Sequence, residues 1–135
     1  MSDILAEWVH PVEWGKVREL ARAVHDPGAT QEPPVPPPTF PVVLNASFIE
    51  RMVLDILKLD RARTVHGEQE YEYLRPLVPG DVVRCRARIA SDTVKQGKRG
   101  GSMRIVVSEI EMSDAATGEI IGYERSTAIE TAAAT

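Results

Sequence analysis

The stretch VHGEQEYEYLRPLVPGD, residues 65–81, sets His66 in one run with Glu68, Glu70 and Glu72, with Gln69, Tyr71 and Tyr73 between them. An imidazole beside carboxylates is equipment for general acid–base catalysis, in which one group takes a proton and the other supplies one. Alternation of charged and uncharged residues is also how a half-buried β-strand reads. A second pairing of these groups, His25 with Asp26, stands in HDPGATQE. Lys95, Lys98 and Arg99 flank the glycines of KQGKRGGS. They suit a phosphate or an acidic protein surface, or simple solvation. GKRGG precedes a strand rather than a helix, so it is not a nucleotide-phosphate loop. A single cysteine, Cys85, leaves no internal disulfide and no zinc cluster to build.

These groups need elements to hold them. Residues 12–24, VEWGKVRELARAV, read as an amphipathic helix, with Trp14, Val17, Leu20, Ala21 and Val24 opposite Lys16, Arg18, Glu19 and Arg22. The proline-rich HDPGATQEPPVPPPTFP ends it and runs on as an extended crossing. Residues 47–59, SFIERMVLDILKL, form a second helix opened by a capping box from Ser47 to Glu50. Its apolar residues cover more than half the circumference, so protein must surround it. From residue 65 the period changes to two, and residues 65–74, 82–90, 103–112 and 120–130 read as strands. Short connections between them predict an antiparallel meander. The class is α+β, with an antiparallel sheet curled around a central apolar helix, which is the hot-dog arrangement. One domain over residues 1–135 is expected, with a loose tail from residue 130.

The alternation also assigns faces. In VVRCRARIA, Arg84, Arg86 and Arg88 share one side of a strand, and Val83, Cys85, Ala87 and Ile89 share the other. Folding residues 65–74 back through a turn at 75–81 sets Glu72 opposite Arg84, Glu70 opposite Arg86 and Glu68 opposite Arg88. Each such pair is worth about 0.2–1 kcal/mol. By parity His66 then lies on the charged outer face. Gln69, Tyr71 and Tyr73 point inward, as core residues with internal bonds or as the lining of a ligand channel.

Bulk composition narrows the class further. Hydrophobic residues make up 43% and charged residues 27%, the balance of a globular domain. A formal charge of −4 without a basic stripe argues against nucleic acid as a partner. The most apolar stretch, residues 48–59, is interrupted by Glu50, Arg51, Asp55 and Lys58 and cannot span a membrane. MSDILAEW does not read as a secretion signal, and a cytoplasmic protein is expected.

Four pieces, VEWGKVRELARAV, PPTFPV, HGEQEYEYLRPLVPGD and GGSMRIVV with TGEIIGYERSTAIE, resemble in order the N-terminal, fatty-acid-synthase-type half of MaoC-like dehydratases. The resemblance implies a hot-dog fold and work on thioesters of coenzyme A or acyl carrier protein. The reaction would be (R)-3-hydroxyacyl dehydration or the reverse enoyl hydration, with no cofactor. It also implies half of a double hot dog, completed by a MaoC-like catalytic subunit or by a second copy. Active members carry Asp-x-x-x-x-His within D-x-N-P-x-H, after a helix ending much as ARAV does. Here Asp26 stands for the aspartate, Gln31 stands where the histidine belongs, and Asn-Pro is missing. Glutamine cannot shuttle protons. His25 is the histidine placed to substitute, while Asp26-Pro27 also reads as a helix-terminating turn. By resemblance Thr39 and Phe40 approach the substrate channel, though they also read as a packed loop. Met52 suits either core filling or acyl contact.

The expectation is therefore a dehydratase or hydratase subunit that supplies the acyl tunnel without a complete dyad. The alternatives are a non-enzymatic acyl-thioester-binding homodimer, or a hot-dog thioesterase in which Glu50 or Asp55 directs water. Open sheet edges predict a dimer in either case.

Overall fold

The computed structural model describes residues 3–133. In chain order the elements are β1 (Ala6–Pro11), α1 (Trp14–Ala23), α2 (Pro41–Arg51) with a π-helical turn over Met52–Ile56, β2 (Thr64–Tyr73), β3 (Val82–Gln96), β4 (Ser102–Asp114) and β5 (Ile120–Glu130). The strands make one antiparallel sheet in the order β1-β3-β4-β5-β2, with α2 packed against its inner face. This is the expected α+β hot-dog architecture. Among the described residues no helix is long and apolar enough to cross a membrane.

Helix α2 begins earlier than the capping box predicts. Pro41 sits in its first turn, where a missing N–H costs no hydrogen bond. Phe40, just before it, is fully buried and anchors that end. Ser47 is an exposed mid-helix residue, and Glu50 is engaged by Arg61 at 3.6 Å instead of by a cap. The helix widens into a π turn where the Leu57 amide reaches back to the Met52 carbonyl at 2.9 Å, and it stops at Lys58, whose φ is +51°. Leu44, Phe48 and Met52 are buried against Cys85, Ala87, Ile110 and Met112 of the sheet. Trp8 of β1 fixes the helix at the sheet's near edge. Its ring stacks on Phe48 with centroids 4.9 Å apart, and its indole N–H donates to the Leu44 carbonyl at 3.0 Å. Helix α1 buries only Val17 and Ala21; Trp14 and Val24, expected on its inner face, are exposed.

The expected meander and its first hairpin are corrected. β2 pairs with β5 and not with β3, and the unanticipated β1 covers the other side of β3. The physical reason is the length of RPLVPGD and its neighbours. Residues 74–81 can reach roughly 26 Å when extended. Three strand spacings need only about 14 Å. The segment is a crossover held shut by Arg75, whose guanidinium meets Asp81 at 2.9 Å, Glu119 at 2.8 Å and Asp114 at 3.4 Å. One arginine thus ties this connection to the β4–β5 turn.

The charges do lie on one outer face, with different partners. Glu70 and Glu72 of β2 bind Arg125 of β5, which also holds Glu109 of β4 at 2.8 Å. Glu109 in turn takes Arg88 of β3 at 2.7 Å, while Arg84 meets Glu7 of β1 at 2.7 Å. Ionic rows therefore cross the sheet. At the other end, the Thr131 amide donates to the Arg63 carbonyl at 2.8 Å, and Glu130 ends β5. A loose tail is expected from residue 130, yet Glu130 and Thr131 are held in the fold; residues 134–135 lie outside the described residues.

Gly122 lets the edge strand close. A Cβ there would lie 2.1 Å from the Glu72 carbonyl oxygen, and backbone cannot move aside cheaply. Gly122→Ala should cost about 3 kcal/mol in urea unfolding. A loss below about 1 kcal/mol would contradict this account of the β2–β5 contact.

Candidate functional site

A cavity of about 480 Å³ opens between α2 and the inner face of β5 and β2. The helix side gives an apolar wall of Val42, Ile49, Met52 and Val53. The sheet side gives Gln69 and Tyr71 from β2 and Glu124 and Ser126 from β5. Glu50, Arg61 and His66 also line it.

The presence of His66 corrects the parity reading. The β2–β5 register slips between His66 and Glu68, so Gly67 is an extra residue that turns the strand by one position. Glu68, Glu70 and Glu72 keep the outer parity of Thr127, Arg125 and Tyr123, whereas His66 pairs with Ala128 in the parity of Ser126 and Glu124. Gly67 suits the bulge because a Cβ there would lie 2.7 Å from Ile129 Cδ1. The His66 Nε2–H donates to the Glu68 carbonyl at 2.8 Å, since a carbonyl only accepts. In the neutral ring Nδ1 is left with the lone pair.

The centre of the site is Glu124, which is 1% exposed. Its Oε2 accepts from Asn45 Nδ2 at 2.6 Å and its Oε1 from Gln69 Nε2 at 3.0 Å. Ser126 Oγ donates to Gln69 Oε1 at 2.7 Å, which orients that amide. Burial raises the pKa of Glu124; the hydrogen bonds from Asn45 and Gln69, and the nearby His66, offset this only in part. Asn45 Oδ1 is buried with no hydrogen-bond partner among the described residues. Burial likewise raises the pKa of Tyr71, with Glu124 adding to the shift. Cys85, behind this row, is pushed up to about 12 by burial and by Glu124, so it is an unreactive thiol. The arrangement can seat an amphiphile, with chain against α2 and polar atoms toward the acid and amides.

The other expected site residues are dispersed. Met52 and Tyr71 line the cavity, but Phe40 is in the core and Thr39 lies exposed before α2. Phe40, expected near a channel by resemblance, thus lies buried at the start of α2 and outside this cavity's lining. Lys95, Lys98 and Arg99 are exposed around the β3–β4 turn and do not line the cavity. Of the helix carboxylates, Glu50 lines it and Asp55 does not. His25, Asp26 and Gln31 are absent from its lining as well. Asp26 Oδ1 accepts from the Gly28 amide at 2.8 Å and so closes a short 3-10 turn. Arg18 ties that turn to α1 through the Ala29 carbonyl at 3.1 Å and Glu32 at 2.9 Å. Asn45 and Glu124 were not singled out from the sequence. The available signal was an acid in GYERSTAIE in phase with Ser126 and Ala128, but that phase is legible only once the strand's inner side is known.

The family model for the FAS1-like dehydratase domain region matches residues 3–122. The chain is 37% identical over 107 residues to a UPF0336 protein of Thermobifida fusca, covering 70% of this chain and 68% of that one. It is 35% identical over 118 residues to a UPF0336 protein of Clavibacter michiganensis, covering 78% and 76%. Among solved structures it is similar to a chain of the C-terminally truncated HadBC (3R-hydroxyacyl-ACP dehydratase) complex of Mycobacterium tuberculosis. That match has a TM-score of 0.70 and 23% identity, and covers 92% of this chain and 94% of that one. A MaoC-like dehydratase matches with a TM-score of 0.73 and 21% identity, over 96% of this chain and 42% of that one.

The raised pKa of Glu124 has a defined sign. The folded chain holds its proton to higher pH than the unfolded chain does, so stability falls as pH rises from about the ordinary 4.5 to the raised value. Glu124→Gln removes that titration. Urea unfolding from pH 4.5 upward should show the variant gaining on the wild type, by about 1.4 kcal/mol for each unit by which the pKa is raised. A pH-independent difference would refute a raised carboxyl pKa.

Proposed function

Because the chain belongs to the FAS1-like dehydratase domain family, we propose that it is the acyl-binding, non-catalytic half of an (R)-3-hydroxyacyl-thioester dehydratase or enoyl-thioester hydratase. The observation that carries this reading is the state of the HDPGATQE loop. The Asp26 carboxylate is spent on its own turn, and Gln31 stands exposed where a proton-transferring histidine is needed.

In this reading the chain binds and orients while a partner supplies the dyad. Val42, Ile49 and Val53 hold the acyl chain and exclude water. Glu124 and Gln69 meet an oxygen of the ligand at the inner wall. Fixing the thioester relative to the partner's acid and base converts a bimolecular encounter into an oriented one. The name of the M. tuberculosis complex, a 3R-hydroxyacyl-ACP dehydratase, supports this substrate class. Glu50, at the cavity, is the one observation favouring thioester hydrolysis, and release of free thiol from an acyl-CoA would reveal that activity.

Purified with a MaoC-like chain whose Asp-x-x-x-x-His loop is intact, the protein should support hydration of crotonyl thioester. Alone it should be at least about a hundred-fold slower. Full turnover by the isolated chain would sink the non-catalytic assignment. Val53→Trp should fill the cavity and weaken acyl-thioester binding about ten-fold, read by titration calorimetry. Unchanged affinity in a folded variant would move the acyl chain elsewhere.

A further inference from the structure

A second cavity, of about 400 Å³, has Val35, Pro37 and Pro38 of the proline-rich segment on one side and Tyr73, Leu74 and Leu77 on the other. It continues the walls of the first in sequence order. On the sheet side the first cavity ends at Tyr71, and the second begins at Tyr73, the next inward residue of β2 and about 7 Å along the strand. On the helix side the first begins at Val42, in the first turn of α2, and the second ends at Pro38, just before that turn. A contact crosses from wall to wall at this junction, where the Tyr73 hydroxyl donates to the Pro38 carbonyl at 2.6 Å. Burial raises the pKa of Tyr73, with Tyr71 and then Glu124 adding to the shift. Its phenol is therefore within electrostatic reach of the first cavity's polar groups.

The lining decides what the second cavity takes. Its valine, leucines and prolines have no polar side-chain atoms. Arg75 also lines it, but that guanidinium is held by Asp81, Asp114 and Glu119. An anion would find the cation already neutralised, whereas an alkyl chain would find apolar surface. In the first cavity the charged residues Glu50, Arg61 and His66 sit toward the end of α2 and the start of β2, away from Tyr71. A ligand whose polar head stays with them points its tail at Tyr71 and at the second cavity.

We propose that the second cavity is a distal subsite for the tail of a long acyl chain, and that Tyr73 sets the length of tail the protein accepts. In the closed form the bond from Tyr73 to Pro38 ends the first cavity. A longer tail breaks that bond, turns the ring aside and runs on between β2 and the proline-rich segment. Losing one such hydrogen bond weakens binding about five-fold, and each methylene then buried strengthens it about four-fold. Two buried methylenes therefore outweigh the bond. The inference rests on the reading of the first cavity as an acyl site, and it adds a second section and a rule for chain length.

Titrating the full chain with butyryl-CoA and with arachidoyl-CoA gives the ratio of long-chain to short-chain affinity. Tyr73→Phe removes the hydrogen bond and keeps the ring, and it should raise that ratio about five-fold. Val35→Trp fills the second cavity and should lower the ratio at least about ten-fold. Thermal melts establish that the variants fold; Leu74→Trp, from an exposed side chain on the same cavity, is the substitute if Val35→Trp does not. A bond that only braces the proline-rich segment has no means of telling a long tail from a short one. An unchanged or lowered ratio in Tyr73→Phe therefore overturns the proposal. So does a folded variant with the second cavity filled that binds arachidoyl-CoA as tightly as the wild type. If butyryl-CoA binds and neither ratio moves, the distal subsite fails and the acyl-binding reading stands. If neither thioester binds the wild type, the reading of the first cavity fails and the length rule falls with it.

Discussion

The apolar residues of α2 run most of the way round its axis. Leu44, Phe48 and Met52 lie under the sheet, while Val42 and Leu54 remain exposed on the side toward β2. A twisted sheet of five strands can curl around a helix but cannot enclose it. The covered side becomes the core, pinned by Trp8 at one edge and by Asn45 to Glu124 nearer the other. The uncovered side becomes the cavity. The same shortfall that prevents a closed core leaves the cavity beside α2 and an open strand edge at β2.

The polar groups in that cavity fit this division. A carboxyl buried to 1% exposure is costly as an anion, and burial raises its pKa while two amide donors partly offset the shift. What results is a hydrogen-bonding cluster in which burial disfavours the anion, set beside aliphatic side chains. The acid–base equipment of a dehydratase is a different thing, and in the loop after α1 the Asp26 carboxylate has a structural use.

Period and composition made much of this legible. The alternation of VHGEQEYEY and VVRCRARIA marked strands and sorted acids and arginines onto one face, and that sorting holds. The partners could not be read, because β2 to β5 all alternate. Glu70 is satisfied as well by Arg86 as by Arg125, so local charge matching leaves strand order undetermined. RPLVPGD has the residues of a turn, yet its length and the Arg75 cluster serve a crossover. Phe40 and Pro41 fix the start of α2 through burial and a missing amide, and burial is not visible in a short motif. Glu124 was hidden for the same reason, since an acid declares itself buried only when its strand's inner side is known. The presence of Gln31 where HDPGATQE would need a histidine, by contrast, was a property of the sequence itself.

The bulge at Gly67 has an evolutionary meaning. An extra residue in an edge strand changes the phase of everything on one side of it while leaving the ladder on the other side intact. Here it shifts the phase of one imidazole, which stays exposed while lining the cavity, without altering Gln69, Tyr71 or their partners. Insertions and deletions at that point are therefore a way for this scaffold to exchange the chemistry at the site in single steps.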